Sequence, residues 1–321
     1  MINMKKNLRI WISLVFFVAA TIWCGINIII RNAKNGNFEY GFQTMDTWCT
    51  VSLMGDKESC RRGVKIAEEA FREVERVANI FAENSELALI NKNTRAGDIF
   101  EPSAVLLELF SLSGCGSQAT GGKFDPTILP LLEVYRQKSF SQDDIKKAES
   151  LVGFNEAVAI NDNKLLILKS GVKFDFGGIA KGYAVDRAMA ACSQATGIKG
   201  GIINAGGKIG IFGDMGSVEV AFADPDAPES DGGTFDLASG MACASSGDYR
   251  RGKHIIDPAT GKAACAVHGV TVIAPSGAEA DLWSTALFAD PTLELPENIY
   301  AIIPDGQGGF YLRTGSGEQA Q

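Results

Sequence analysis

Phe174-Asp175-Phe176-Gly177-Gly178-Ile179-Ala180-Lys181-Gly182-Tyr183-Ala184-Val185-Asp186 stands where two kinds of sequence pattern meet. Upstream, Lys164 to Lys169 is apolar and branched and follows the turn-like Asn161-Asp162-Asn163, which predicts a strand. Downstream, Tyr183 to Ala195 is rich in alanine, which predicts a helix. The glycine pair falls between the two. Glycine there lets backbone come close to a ligand, and a helix start offers unpaired N–H groups to an anion. Lys181 adds a positive charge and Asp175 an acceptor. The arrangement suits a phosphate-bearing ligand; a tight turn with a surface lysine is the plainer alternative.

The flanking sequence reads as one body. Thr44 to Met54 predicts a strand. Val64, Ala67, Phe71, Val74, Ala78 and Phe81 recur at spacings of three and four, the apolar face of a helix starting near Asp56 or Ser59. A second helix is expected from Ser103 to about Gln118, and a short third one from Ser141. From Ala157 onward short strands dominate: Ala157–Ile160, Leu165–Lys169, Gly201–Asn204, Val218–Ala223, His254–Ile256 and Val270–Ala274. Ser276-Gly277-Ala278-Glu279 has the capping-box pattern, so a helix is expected from Gly277 to Phe288, ended by Asp290-Pro291. Strands at Ile299–Ile303 and Phe310–Arg313 follow. The fold class is therefore mixed α/β (α+β), with one soluble domain over residues 44–321.

Composition narrows the function. Of 321 residues, 46% are hydrophobic and 21% charged, which is ordinary for a globular chain with a substantial core. A net charge of −8 without a long basic run argues against nucleic acid as a partner. Ile10 to Ile30 is uncharged, mostly apolar and long enough to span a bilayer. Lys5, Lys6 and Arg9 precede it, so residues 1–31 are expected to form an uncleaved signal anchor, followed by a linker over residues 32–43. The body then lies on the extracytoplasmic side of the membrane. Two rivals are cleavage after Val18-Ala19-Ala20 and lipidation at Cys24. The remaining cysteines are scattered without a Cys-x-x-Cys pair, which disfavours zinc; most read as small buried hydrophobes.

Several constellations have the right chemistry for a phosphate site. Asp281 and Thr285 lie four apart on the last helix and project from one face. A carboxylate and a hydroxyl are hard donors suited to Mg²⁺, although an acid in an early helical turn also complements the dipole and Thr back-bonds within helices. His254 is one of two histidines and stands ahead of the turn Asp257-Pro258-Ala259-Thr260-Gly261, where it either moves protons or packs at a strand end. Ser245-Ser246-Gly247-Asp248-Tyr249-Arg250 reads as a loop over a ligand or a hairpin turn. Gly121-Gly122-Lys123-Phe124-Asp125-Pro126-Thr127 ends a helix and enters an extended segment. Asn204-Ala205-Gly206-Gly207 ends a strand.

Taken in order, these segments resemble the ApbE family of FAD:protein FMN transferases. The matching pieces are Met45-Asp46-Thr47, Ser85-Glu86 with Ile90-Asn91, Gly122 to Thr127, Asp175 to Asp186, and Asn204 with Gly206-Gly207. They continue with Ser246 to Tyr249, His254 to Pro258 with Thr260-Gly261, and Ala280-Asp281 with Thr285-Ala286-Leu287. The resemblance implies Mg²⁺ and FAD as cofactor and substrate. It also implies transfer of FMN to a Thr or Ser hydroxyl of an acceptor protein, with AMP leaving. Carried over by position, Asp281, Thr285 and the backbone carbonyl at Gly178 hold the metal. Met45, Lys123, Phe124, Asp125, Asp175, Lys181 and the backbone near Ile256 contact FAD, and His254 is the candidate acid/base. Family resemblance also points to acceptors among subunits of sodium-pumping NADH:quinone or Rnf-type complexes at the bacterial inner membrane. An FAD pyrophosphatase and a non-catalytic FAD-binding module are the alternatives. There are departures: Asp46 replaces the glycine of Met-Gly-Thr, Phe81-Ala82-Glu83-Asn84 reads as short and lacking the usual aromatic before Ser85, and Arg250 to Lys253 is short.

Overall fold

Asp56 ends one long strand and starts one long helix, and its carboxylate accepts the Ser59 N–H at 3.0 Å as the helix cap. The computed structural model describes residues 37–227, 230–248, 255–264 and 266–320, and places the body from Phe38 onward on a nine-stranded sheet. Its strands are β1 (Asn37–Thr44), β2 (Thr47–Gly55), β3 (Ile198–Ala205), β4 (Lys208–Gly213), β5 (Ala242–Gly247), β6 (Gly269–Ala274), β7 (Tyr300–Pro304), β8 (Phe310–Thr314) and β9 (Gly317–Ala320). They lie side by side in chain order, and each pairing from β2 to β9 is antiparallel.

Four long helices cover one face of this sheet or brace those that do: α1 (Lys57–Ala78), α2 (Ala104–Ala119), α3 (Ala180–Ser193) and α4 (Gly277–Ala289). Between β2 and β3 the chain leaves the sheet to build α1, α2, a three-stranded sheet (Ile99–Phe100, Val158–Asn161, Lys164–Ile167) and α3. The apolar stripe of α1 is buried as its periodicity predicts, through Val64, Ala67, Phe71 and Val74. α3 packs against α1 and α4 and rests on β3 and β4, while α4 rests on β5 and β6. Phe110 meets Phe174 and Phe176 edge to face, with ring centroids 4.9 and 5.0 Å apart.

The period-two alternation of β4 decides what faces the site. Ile209 and Ile211 join Val218, Val220 and Leu237 under the hairpin Ser217–Ala223/Asp231–Ala238. Lys208, Gly210 and Phe212 therefore face the helices. A Cβ on Gly210 would lie 2.5 Å from Met189 Sδ and 2.8 Å from Val185 Cγ1 of α3, so glycine permits the close approach.

Several sequence expectations shift. The expected linker 32–43 is strand from Asn37 onward: Phe38, Tyr40 and Phe42 alternate with polar residues, a period-two pattern that the neighbouring glycines obscure. Phe42 is buried against Phe71. The strand expected over Thr44–Met54 begins only at Thr47, because Met45 and Asp46 (φ 50° and 55°) form the two-residue turn joining β1 to β2. Ser245 and Ser246 lie in central strand β5 rather than a loop. The expected anchor and His254 lie outside the described residues. Among those described, no helix is long and apolar enough to cross a membrane. Cys49, Cys60, Cys192 and Cys243 are free and buried, and Cys115 is free and exposed.

Candidate active site

The glycine turn is fixed from both sides before it reaches α3. The Asn91 side chain accepts the Phe174 N–H and donates to the Phe174 carbonyl, both at 2.7 Å. The Asp175 N–H then donates to the Pro126 carbonyl at 2.8 Å, which ties this turn to the Lys123–Thr127 loop. Asp175 Oδ1 accepts the Gly177 N–H at 2.6 Å. Desolvation pushes the Asp175 carboxyl above its ordinary range, against the Gly177 N–H and the charges of Arg136 and Lys181. α3 starts at Ala180 without a side-chain cap; the Ala180 N–H donates to the Phe176 carbonyl at 2.8 Å and the Tyr183 N–H to the Ile179 carbonyl at 2.9 Å. Lys181 Nζ lies over the same turn and donates to the Gly177 carbonyl at 3.2 Å.

Asp281 and Thr285 reach this turn from α4. Thr285 Oγ1 lies 3.5 Å from the Gly178 carbonyl oxygen and 3.0 Å from the Asp281 carbonyl oxygen. Asp281 is almost wholly buried, and its Oδ2 accepts the Gly182 N–H of α3 at 3.0 Å. The two helices touch here through backbone: a Cβ on Gly182 would lie 1.9 Å from the Gly277 carbonyl oxygen. Asp186 pins the same junction, accepting the Gly277 and Ala278 N–H groups at 2.6 and 2.8 Å. Burial pushes its carboxyl up to about 6 despite those two bonds, and Glu279 and Asp281 push it the same way. Of the three donors assigned to a metal, the Thr285 hydroxyl and the Gly178 carbonyl meet, and the Asp281 carboxylate reaches the Gly182 N–H four residues further on; all are oxygens of the hard type that Mg²⁺ takes.

The other expected contacts sort by what their side chains already do. Phe124 lies against Gly178, where a Cβ would be 3.2 Å from its ring. The Asp125 carboxylate is buried and fully engaged, by the Thr127 N–H and hydroxyl, the Ser117 hydroxyl and the Phe154 N–H. It holds the loop in shape, which leaves its neighbours to meet a ligand. Lys123 Nζ is 3.3 Å from both Asp257 oxygens and 3.8 Å from Asp290, so it joins that loop to the turn after Ile256. Ile256 itself is buried. Met45 sits at the hairpin tip, where Glu75 accepts the Met45 N–H at 2.9 Å and the Thr44 hydroxyl at 2.6 Å.

Three side chains take places that the sequence did not indicate. Phe81 supplies an aromatic ring four residues before Ser85, 76% exposed, with the Arg136 guanidinium 5.1 Å from its centre. Its position at the end of the α1 periodicity made it read as core. Glu75 braces the Met45 turn, and nothing distinguishes it in sequence from the other acids of α1. Lys208 Nζ lies 3.2 Å from Asp281 Oδ1. A lysine opening an apolar strand directly after Gly206-Gly207 was the available signal.

Comparison with known proteins bears on the family and the fold. The model of the ApbE family matches residues 45–300. An FAD:protein FMN transferase of Rhodobacter capsulatus is 29% identical over 77% of this chain, and the chain spans about half of that relative's length (50%). An FAD:protein FMN transferase of Klebsiella pneumoniae (strain 342) is 26% identical over 83% of this chain and 84% of its own. Among solved structures, the ApbE protein of Thermotoga maritima superposes with a TM-score of 0.73 at 27% identity, over 83% of this chain and 94% of that one. The flavinyl transferase ApbE of Pseudomonas stutzeri shares the fold, with a TM-score of 0.74 at 24% identity over 87% of this chain and 94% of that one.

Proposed function

Because this chain belongs to the ApbE family, we propose that it is an FAD:protein FMN transferase that works with Mg²⁺. The acceptor's Thr or Ser hydroxyl oxygen attacks the phosphorus of the FMN half of FAD. The bond from that phosphorus to the bridging oxygen breaks, AMP leaves with that oxygen, and the hydroxyl proton passes to a base. The observation that carries the reading is that Thr285 meets the Gly178 carbonyl while Asp281, one turn earlier on α4, bonds to the Gly182 N–H at the start of α3.

Those three groups would hold Mg²⁺, which supplies charge neutralisation for the pyrophosphate and for the charge that develops in transfer. The protein's own groups do the rest. Lys181 and the positive end of α3 face the phosphates, and the glycine turn lets them come close. The Lys123–Asp125 loop, Asp175, the Met45 turn and the backbone near Ile256 line the rest of the FAD site. His254 is assigned the base, since a neutral imidazole near pH 7 accepts a proton from an attacking hydroxyl. Residues 1–31 anchor the body on the extracytoplasmic face of the bacterial inner membrane. The acceptors are subunits of sodium-pumping NADH:quinone or Rnf-type complexes.

Incubation with FAD, Mg²⁺ and such an acceptor tests the reading. Flavin fluorescence on the denatured acceptor band with equimolar AMP supports transfer. Free FMN and AMP without a labelled acceptor make the protein an FAD pyrophosphatase. FAD binding with no AMP under any condition makes it a binding module and refutes the proposal.

A further inference from the structure

Asp281 has a neighbour that holding a metal does not require. Lys208, the first residue of β4, is 6% exposed. Its Nζ lies 3.2 Å from Asp281 Oδ1 and donates to the Ser245 carbonyl of β5. Asp281 Oδ2 is taken by the Gly182 N–H. The position is built in: Gly206 and Gly207 (φ 60° and 90°) make the turn, Asn204 Oδ1 accepts the Gly207 N–H at 2.9 Å, and the alternation of β4 aims Lys208 at the helices. Both carboxylate oxygens are thus engaged, and one of them is engaged by a buried full positive charge.

This changes what the site offers a cation. The Gly178 carbonyl and the Thr285 hydroxyl carry no net charge. The Asp281 carboxylate contributes −1 and the Lys208 ammonium +1, so this pair is neutral in sum, and Lys181 over the same turn adds positive charge. In a poorly solvated place the ammonium repels a divalent cation and cancels much of the attraction that the carboxylate supplies. The missing negative charge is that of the ligand: a dinucleotide pyrophosphate at the start of α3 brings two phosphate charges to the same spot.

We propose that Lys208 makes the metal seat depend on the ligand, keeping it a poor trap for divalent cations in the free protein and a good one only when a pyrophosphate is bound. This rests on the reading of Gly178, Asp281 and Thr285 as cation donors. By linkage the metal raises affinity for the pyrophosphate by the same factor that the pyrophosphate raises affinity for the metal. The free protein then avoids filling its seat with whichever divalent ion is most abundant.

The test is Mn²⁺ binding to the full-length protein, followed by the loss of the free-ion electron paramagnetic resonance signal, with and without FAD. Wild type should bind at least about tenfold more tightly with FAD. Lys208→Gln removes the charge but keeps a donor for the Ser245 carbonyl. In FAD-free protein it should bind Mn²⁺ about tenfold more tightly than wild type, and Mg²⁺ should raise its melting temperature. Lys208→Arg keeps the charge and should stay weak. Unchanged or weaker FAD-free binding in Lys208→Gln overturns the inference, since a merely structural lysine would have that effect. Should Lys208→Gln not fold, Lys208→Met decides by the same measure, and equal Mn²⁺ affinity of the wild type with and without FAD also overturns the inference. No Mn²⁺ binding even with FAD overturns the donor assignment itself, and the role given to Lys208 with it.

Discussion

Replacing Gly182 by Ala should damage stability and ligand binding together, for a reason visible in the backbone. The new methyl carbon would lie 1.9 Å from the Gly277 carbonyl oxygen, 2.4 Å from its carbon and 2.8 Å from Asp281 Cβ. Two of these atoms are main chain and cannot rotate away, so α3 and α4 must separate. Overpacking of this kind costs about 1–3 kcal/mol, and the upper end applies where backbone is hit. Alanine in place of a helical glycine returns about 1 kcal/mol. The net loss is about 2 kcal/mol, or roughly 4–8 °C in melting temperature for a domain of this size. Gly116→Ala in α2 is the control. Its methyl would meet side chains alone, the Leu282 ends at 3.1 and 3.2 Å and the Phe124 ring at an ordinary 3.4 Å, and no backbone. The propensity gain should leave that variant near wild type. Thermal unfolding followed by circular dichroism measures both. Because the separation moves Asp281 away from Gly178, Mn²⁺ binding in the presence of FAD should weaken in Gly182→Ala and not in Gly116→Ala. If Gly182→Ala melts within about a degree of wild type, the backbone contact does not hold the site together as argued.

Other outcomes follow from individual residues. His254→Ala should lower the single-turnover rate of transfer far more than it weakens FAD binding, the signature of an interaction made mostly in the transition state; a normal rate at saturating FAD removes His254 from the mechanism. Asp186 binds its proton more tightly folded than unfolded, so its contribution to stability is full below about pH 4 and is lost as pH rises through about 6. The melting-temperature advantage of wild type over Asp186→Asn should accordingly shrink from pH 4 to pH 7. An advantage that grows instead would mean that the two N–H bonds outweigh burial. The full-length protein should stay with membranes through an alkaline wash, and recovery of a soluble form starting near Thr21 would show cleavage rather than anchoring.

Much of this architecture is legible in the chain because local chemistry and final structure agree. The stripe on α1, the Asp56 and Ser276 caps, and the strand–glycine–helix order around Gly178 all report elements whose neighbours want the same thing. β4 and β5 were not legible. Lys208-Ile209-Gly210-Ile211-Phe212-Gly213 and Ala242 to Gly247 carry small residues where helices press close, and small residues look like loop. The proposed metal donors were accessible to a spacing argument, Asp281 and Thr285 being one helical turn apart. The charge beside them was not, since Lys208 reaches Asp281 only through the sheet. Nor does spacing reveal that Asp125 is consumed by four donors from three parts of the chain.

The Gly182–Asp281 hydrogen bond joins residues 99 positions apart. Closing so long a loop has an entropic cost that only the docked helices repay. A chain emerging from the ribosome therefore has no ligand seat until α4 has been synthesised. By then α1, α2, α3 and the first six strands are already out. Under the proposed function, FAD cannot act as a template for their folding. It can only reward the finished fold, adding stability by mass action once both halves of the seat exist. Fragments that stop short of Thr285 should be blind to the nucleotide, however well their helices form.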